Sequence, residues 1–66
     1  MHMYKGFRIE VFKNSDREYP FIASCYIGNE LVNKKGYDEE QAIKLVEAVI
    51  NFTLLMIERK GFNNNQ

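Results

Sequence analysis

Gly36–Phe62 reads GYDEEQAIKLVEAVINFTLLMIERKGF, and the way this stretch folds decides the architecture of the whole chain. Apolar residues recur at helical spacing from Ala42 to Ile57, the signature of an amphipathic helix. Asp38 is a good N-cap, Gln41 follows at the capping-box position, and Glu39 and Glu40 suit the positive end of the helix dipole. At the other end Arg59 and Lys60 suit the negative pole. Gly61 is placed to take the left-handed conformation of a C′ residue, with Phe62 as C″ packing on Ile57. The pattern predicts a helix over 39–60, about 33 Å long.

Its surface is short of polar residues. On a helical wheel Phe52, Leu45, Met56, Val49, Ala42, Thr53, Val46, Ile57, Ile50, Ile43 and Leu54 form one continuous arc. That arc spans roughly 200°, about twice the stripe a core-facing helix needs. Leu55 falls outside it, near Ala48 and Arg59, and only Lys44, Glu47, Asn51 and Glu58 make a wet face.

Upstream, Tyr4–Lys13 (YKGFRIEVFK) alternates, with Phe7, Ile9 and Val11 on one face and Arg8 and Glu10 on the other, as a half-buried strand does. A polar cluster at Asn14–Glu18 suits a loop. Tyr19–Ile27 (YPFIASCYI) is rich in aromatic and β-branched residues and reads as a second strand, with Pro20 at its start. Gly28-Asn29 is a hairpin turn signal. It pairs Ile27 with Glu30, Tyr26 with Leu31 and Cys25 with Val32. Phe21, Ala23, Cys25 and Val32 then share one side, and Ile22, Tyr26 and Leu31 the other. The third strand, Glu30–Lys35, reads as short and weak. The expected fold class is α+β: a three-stranded antiparallel sheet packed on one face by a long C-terminal helix, β-β-β-α, with the last helical turns overhanging the sheet. Residues 1–62 form the single domain and 63–66 a disordered polar tail.

A chain of 66 residues buries only about 60% of its unfolded surface and usually needs a staple. Cys25 is the only cysteine, so no internal disulfide forms, and no Cys or His cluster offers a zinc site. Oligomerisation is the remaining option. Lys plus Arg equals Asp plus Glu, nine each, which argues against the basic surplus of most nucleic-acid-binding domains. No signal peptide is visible, and the uncharged run Ala48–Ile57 is too short to span a bilayer. The expected location is the cytoplasm, with Cys25 reduced. Met1-His2-Met3 has the look of an expression remnant ahead of a start at Met3.

No residue pattern points to catalysis or a cofactor. Asp38-Glu39-Glu40 is accounted for by capping and dipole chemistry. Cys25 lacks a neighbouring base in the sequence and reads as a buried structural thiol. Gly6, Gly28, Gly36 and Gly61 are too scattered for a phosphate loop. Two surfaces remain. Phe52, Leu54, Leu55, Ile57 and Phe62 are the candidate oligomer or partner interface, since three short strands cannot cover so wide an arc. Lys5, Arg8, Lys34 and Lys35, beside Tyr4 and Tyr37, are the candidate nucleic-acid contacts.

YDEEQAIKLVEAVINF and FIASCYI resemble the helix and second strand of HicB-like antitoxin domains, which are β-β-β-α units of similar length. That resemblance implies a small protein-binding, antitoxin-like module. YKGFR and GYDEEQAI are also similar to the first strand and helix entry of three-stranded DNA-binding domains of the ethylene-response and integrase-arm types. That likeness implies DNA reading from the sheet, where Arg8 alone on the first strand stands in a comparable role. The expectation is a non-enzymatic homodimer or higher oligomer that binds another protein in the manner of an antitoxin, inhibitor or adaptor. The alternative is a nucleic-acid-binding module using the sheet.

Overall fold

The computed structural model describes residues 2–63, with the side chains of residues 2–59. Four strands precede one helix: β1 (His2–Tyr4), β2 (Phe7–Lys13), β3 (Phe21–Ile27), β4 (Glu30–Gly36) and α1 (Glu39–Asn63). The fold is α+β. The strands form one antiparallel meander in the order β1-β2-β3-β4.

The expected three strands are therefore four. Lys5 and Gly6 both have positive φ, 49° and 86°, the geometry of a two-residue type I′ hairpin turn. A residue inside a strand holds φ near −140°, so Tyr4–Lys13 cannot run as one strand, and His2–Tyr4 folds back to pair with Phe7–Ile9. The last strand also differs from its short, weak reading. β4 pairs along its whole length with β3, from Ile27↔Glu30 to Phe21↔Gly36. The expected pairs around Gly28-Asn29 are all present. Gly28 has φ 65°, as the first central residue of a type II′ turn requires.

Period-two alternation sends His2, Tyr4, Phe7, Ile9, Val11, Phe21, Ala23, Cys25 and Val32 to the helix side of the sheet. The buried core is Ile9, Ala23 and Cys25 from the sheet with Ala42, Val46 and Ile50 from the helix, and Leu54 is among the half-buried residues packed around it. The helical contributors are four residues apart, the row that stays on one face.

The helix start is built from Asp38 and Gly36. Asp38 Oδ1 accepts from the Gln41 backbone N–H at 2.7 Å. Gln41 Oε1 reaches back to the Tyr37 N–H at 2.8 Å, one residue before the partner of an ordinary capping box. Gly36 is buried beneath this first turn. A Cβ there would lie 2.5 Å from the Ala42 nitrogen and 2.9 Å from the Asp38 carbonyl oxygen. The sheet thus ends on a glycine because the helix begins directly over it.

At its far end α1 runs past Gly61 to Asn63, so the expected stop at Gly61 is absent; a single glycine in a helix costs only about 1 kcal/mol. The expected Phe62–Ile57 contact lies outside the described side chains. So do residues 64–66, which make up most of the expected polar tail. The helix is about 37 Å long, against about 23 Å for a seven-residue strand. The molecule measures 50 × 19 × 18 Å, and the excess length is helix without sheet beneath it.

Candidate partner-binding surface

Along α1, burial follows position relative to the sheet. Ala42, Val46 and Ile50 are fully buried, and every described residue from Leu55 onward is exposed. Ile57 lies on almost the same side of the helix as Ile50, since seven residues turn it by nearly two full turns. Yet Ile57 is 61% exposed and Ile50 0%. The overhang leaves Ile57 bare.

A second set is bare for a different reason. Leu45, Phe52 and Leu55 are exposed by 41, 63 and 46%. They lie roughly 130° around the helix from the core row, facing away from the sheet. Their spacing, with exposed Ala48 and Arg59, is 45, 48, 52, 55, 59, the alternating 3–4 step of a helix-packing seam. Of the five residues expected at an interface, Phe52 and Leu55 belong to this seam and Ile57 to the overhang. Leu54 is half-buried against the core, and the side chain of Phe62 lies outside the described residues. Leu45 completes the seam; it was visible on the wheel, but only the sheet's position separates it from the core.

The outer face of the sheet is the other apolar surface. Met3, Phe12, Tyr26 and Leu31 are exposed there, and a shallow concavity of about 450 Å³ is lined by Arg8, Glu10, Phe12, Ser24, Tyr26 and Leu31. Ser24 and Asn33, paired across β3 and β4, are hydrogen-bonded on this face. Phe12 was legible as an outer residue, because it is out of step with Phe7, Ile9 and Val11.

The wet side of α1 is tied to the first hairpin. His2 Nε2 meets Glu47 Oε2 at 2.9 Å. Asn51 Oδ1 accepts from the Tyr4 hydroxyl at 2.9 Å and from Lys5 Nζ at 2.8 Å. Lys5 also sits 5.4 Å from the Tyr4 ring centre, within cation–π range. Lys44 and Glu58 have no ion-pair partner among the described side chains.

The four basic residues weighed as nucleic-acid contacts do not come together. Lys5 is in the first turn on the helix side. Arg8 is on the outer face of β2. Lys34 pairs with Ala23 and Lys35 with Ile22, which puts them on opposite faces of the far edge strand. Cys25 is buried, and burial pushes its thiol up from the ordinary value, away from the thiolate that reacts. Its Sγ lies 3.5 Å from the Tyr26 carbonyl oxygen. Asp38 is spent on the helix cap.

Compared with protein-family models, with curated proteins and with solved structures, the chain matches none. No helix among the described residues is long and apolar enough to cross a membrane.

Proposed function

We propose that the chain is a small non-enzymatic protein-binding module that works as a homo-oligomer, with an antitoxin-, inhibitor- or adaptor-like role. The observation that carries this reading is the apolar seam Leu45, Phe52 and Leu55, presented on the side of α1 that its own sheet does not reach. A larger internal core would have drawn these residues inward; they point the other way.

Magnitudes support a weak, reversible association. Covering three such half-exposed side chains on each of two copies is worth on the order of 5–9 kcal/mol, most of it offset by the cost of lost translational and rotational freedom. With the helix seam covered, the outer sheet face around Arg8, Tyr26 and Leu31 is the surface offered to a second protein.

Light scattering across the micromolar range tests the oligomer. The mass is expected to climb with concentration towards twice the 7.8 kDa of one chain, and Leu55→Asp, with unchanged helix content, is expected to stay at one chain mass. A wild-type mass that stays at one chain at every concentration contradicts the reading.

A further inference from the structure

The seam and its flanking charges also specify how two copies meet. We propose that the chain dimerises by packing α1 against α1 of a second copy in antiparallel orientation, with Lys44 of each subunit paired to Glu58 of the partner subunit. The proposal rests on the oligomer reading above and adds its geometry.

The seam positions 45, 48, 52, 55 and 59 step by three and four, as a and d positions do in paired helices. On the polar side of that seam stand Lys44, Asn51 and Glu58, spaced seven apart, as g positions do. In an antiparallel pair a residues lie opposite d residues and g residues opposite g residues. Setting Phe52 over the partner's Ala48 and Leu45 over the partner's Leu55 gives a large-on-small contact beside a leucine pair. The same register sets Asn51 across from the partner's Asn51 at the two-fold axis and, by symmetry, places two Lys44–Glu58 pairs about 21 Å apart along the helices. Arg59 then falls opposite the partner's first helical turn, which carries Glu39 and Glu40.

A parallel pair has none of this complementarity. It would stack Arg59 on the partner's Arg59 inside the seam and leave Lys44 and Glu58 without opposite charges. The described structure leaves Lys44 and Glu58 exposed and without an ion-pair partner among the described side chains, whereas Glu47 and Asn51 are engaged by the first hairpin. The seam covers only two heptads, too short for an autonomous coiled coil, so each helix depends on its own sheet for its fold. Because the seam is roughly 130° from the core row, the body of each sheet lies away from the helix–helix contact, and the first hairpin alone reaches its edge, through Tyr4 and Lys5 on Asn51.

Charge reversal in solution separates this geometry from the general reading. Lys44→Glu alone sets a new carboxylate against the partner's Glu58 twice per dimer, and Glu58→Lys alone sets two lysine pairs. Each is expected to raise the dimer dissociation constant about tenfold at low salt, given like-charge and opposite-charge contacts of a few tenths to 1 kcal/mol each. The two single variants mixed together are expected to associate as wild type does, because one copy then carries a carboxylate at both positions and the other an ammonium at both. The double variant is expected to recover as well. Circular dichroism of each variant establishes that the fold is intact. A wild-type dimer that neither single reversal weakens, or a mixture no tighter than its components, overturns the antiparallel register and leaves the oligomer reading standing. A wild-type chain that stays monomeric overturns both, and assigns the seam to a protein of different sequence.

Discussion

Ile50 and Ile57 are the same residue, two turns apart, on nearly the same side of one helix. The first is wholly buried between α1 and the sheet, and the second is 61% exposed. The difference lies in what is beneath them: a strand of about 23 Å ends well before a helix of about 37 Å. In this protein an apolar helical position is core only while the sheet lasts. The N-terminal half of α1 supplies the buried core, and the C-terminal half, Leu54 apart, offers apolar surface that the fold does not use.

The contrast can be broken first at its buried end. Ile50→Ala removes a fully buried side chain at the centre of the core and is expected to cost about 2–5 kcal/mol. Urea unfolding reads it directly, and a loss below about 1 kcal/mol would mean the core is not where the burial places it. Gly36→Ala acts under the same half of the helix. The new methyl meets backbone atoms of Ala42 and Asp38 rather than yielding side chains, so a loss of about 1–3 kcal/mol is expected. An unchanged midpoint would show that the helix start can lift from the sheet without penalty.

Asp38→Ala removes the oxygen that accepts from the Gln41 N–H. It is expected to lower stability by about 1 kcal/mol, with Asp38→Asn recovering most of it. Smallest of all is Ile57→Ala. At concentrations low enough to keep the chain monomeric its effect should lie within about 0.5 kcal/mol. A penalty comparable with that of Ile50→Ala would show that Ile57 has an intramolecular partner.

Much of this was readable in residues. Gly28-Asn29 set the β3–β4 register because a two-residue loop with glycine at its first central position makes a type II′ turn, which fixes the pairs on either side. Asp38, Gln41 and the two glutamates marked the helix start, though the Gln41 side chain bonds to Tyr37 and not to Asp38. The first hairpin was hidden, because it needs Lys5 at φ 49°, a conformation that a non-glycine residue seldom adopts. Its short strand also begins at a histidine whose setting, beside Glu47, depends on a contact 45 residues away. The interface residues were legible in type but not in cause. The uncharged run from Phe52 to Ile57 grouped Leu54 with Phe52 and Leu55, and only the position of the sheet puts Leu54 against the core and leaves the other two outside. The basic residues show the same limit: Lys34 and Lys35 are neighbours in the chain, and the pleat sends them to opposite faces.

Hydrogen exchange measured residue by residue at increasing protein concentration tests the division of α1 most directly. Amides of 52–59 are expected to exchange fast in dilute solution and to slow markedly as concentration rises through the micromolar range. Those of 42–50, already held by the core, should change less. Exchange in 52–59 that does not depend on concentration would contradict the claim that this half of the helix is a partner-binding surface.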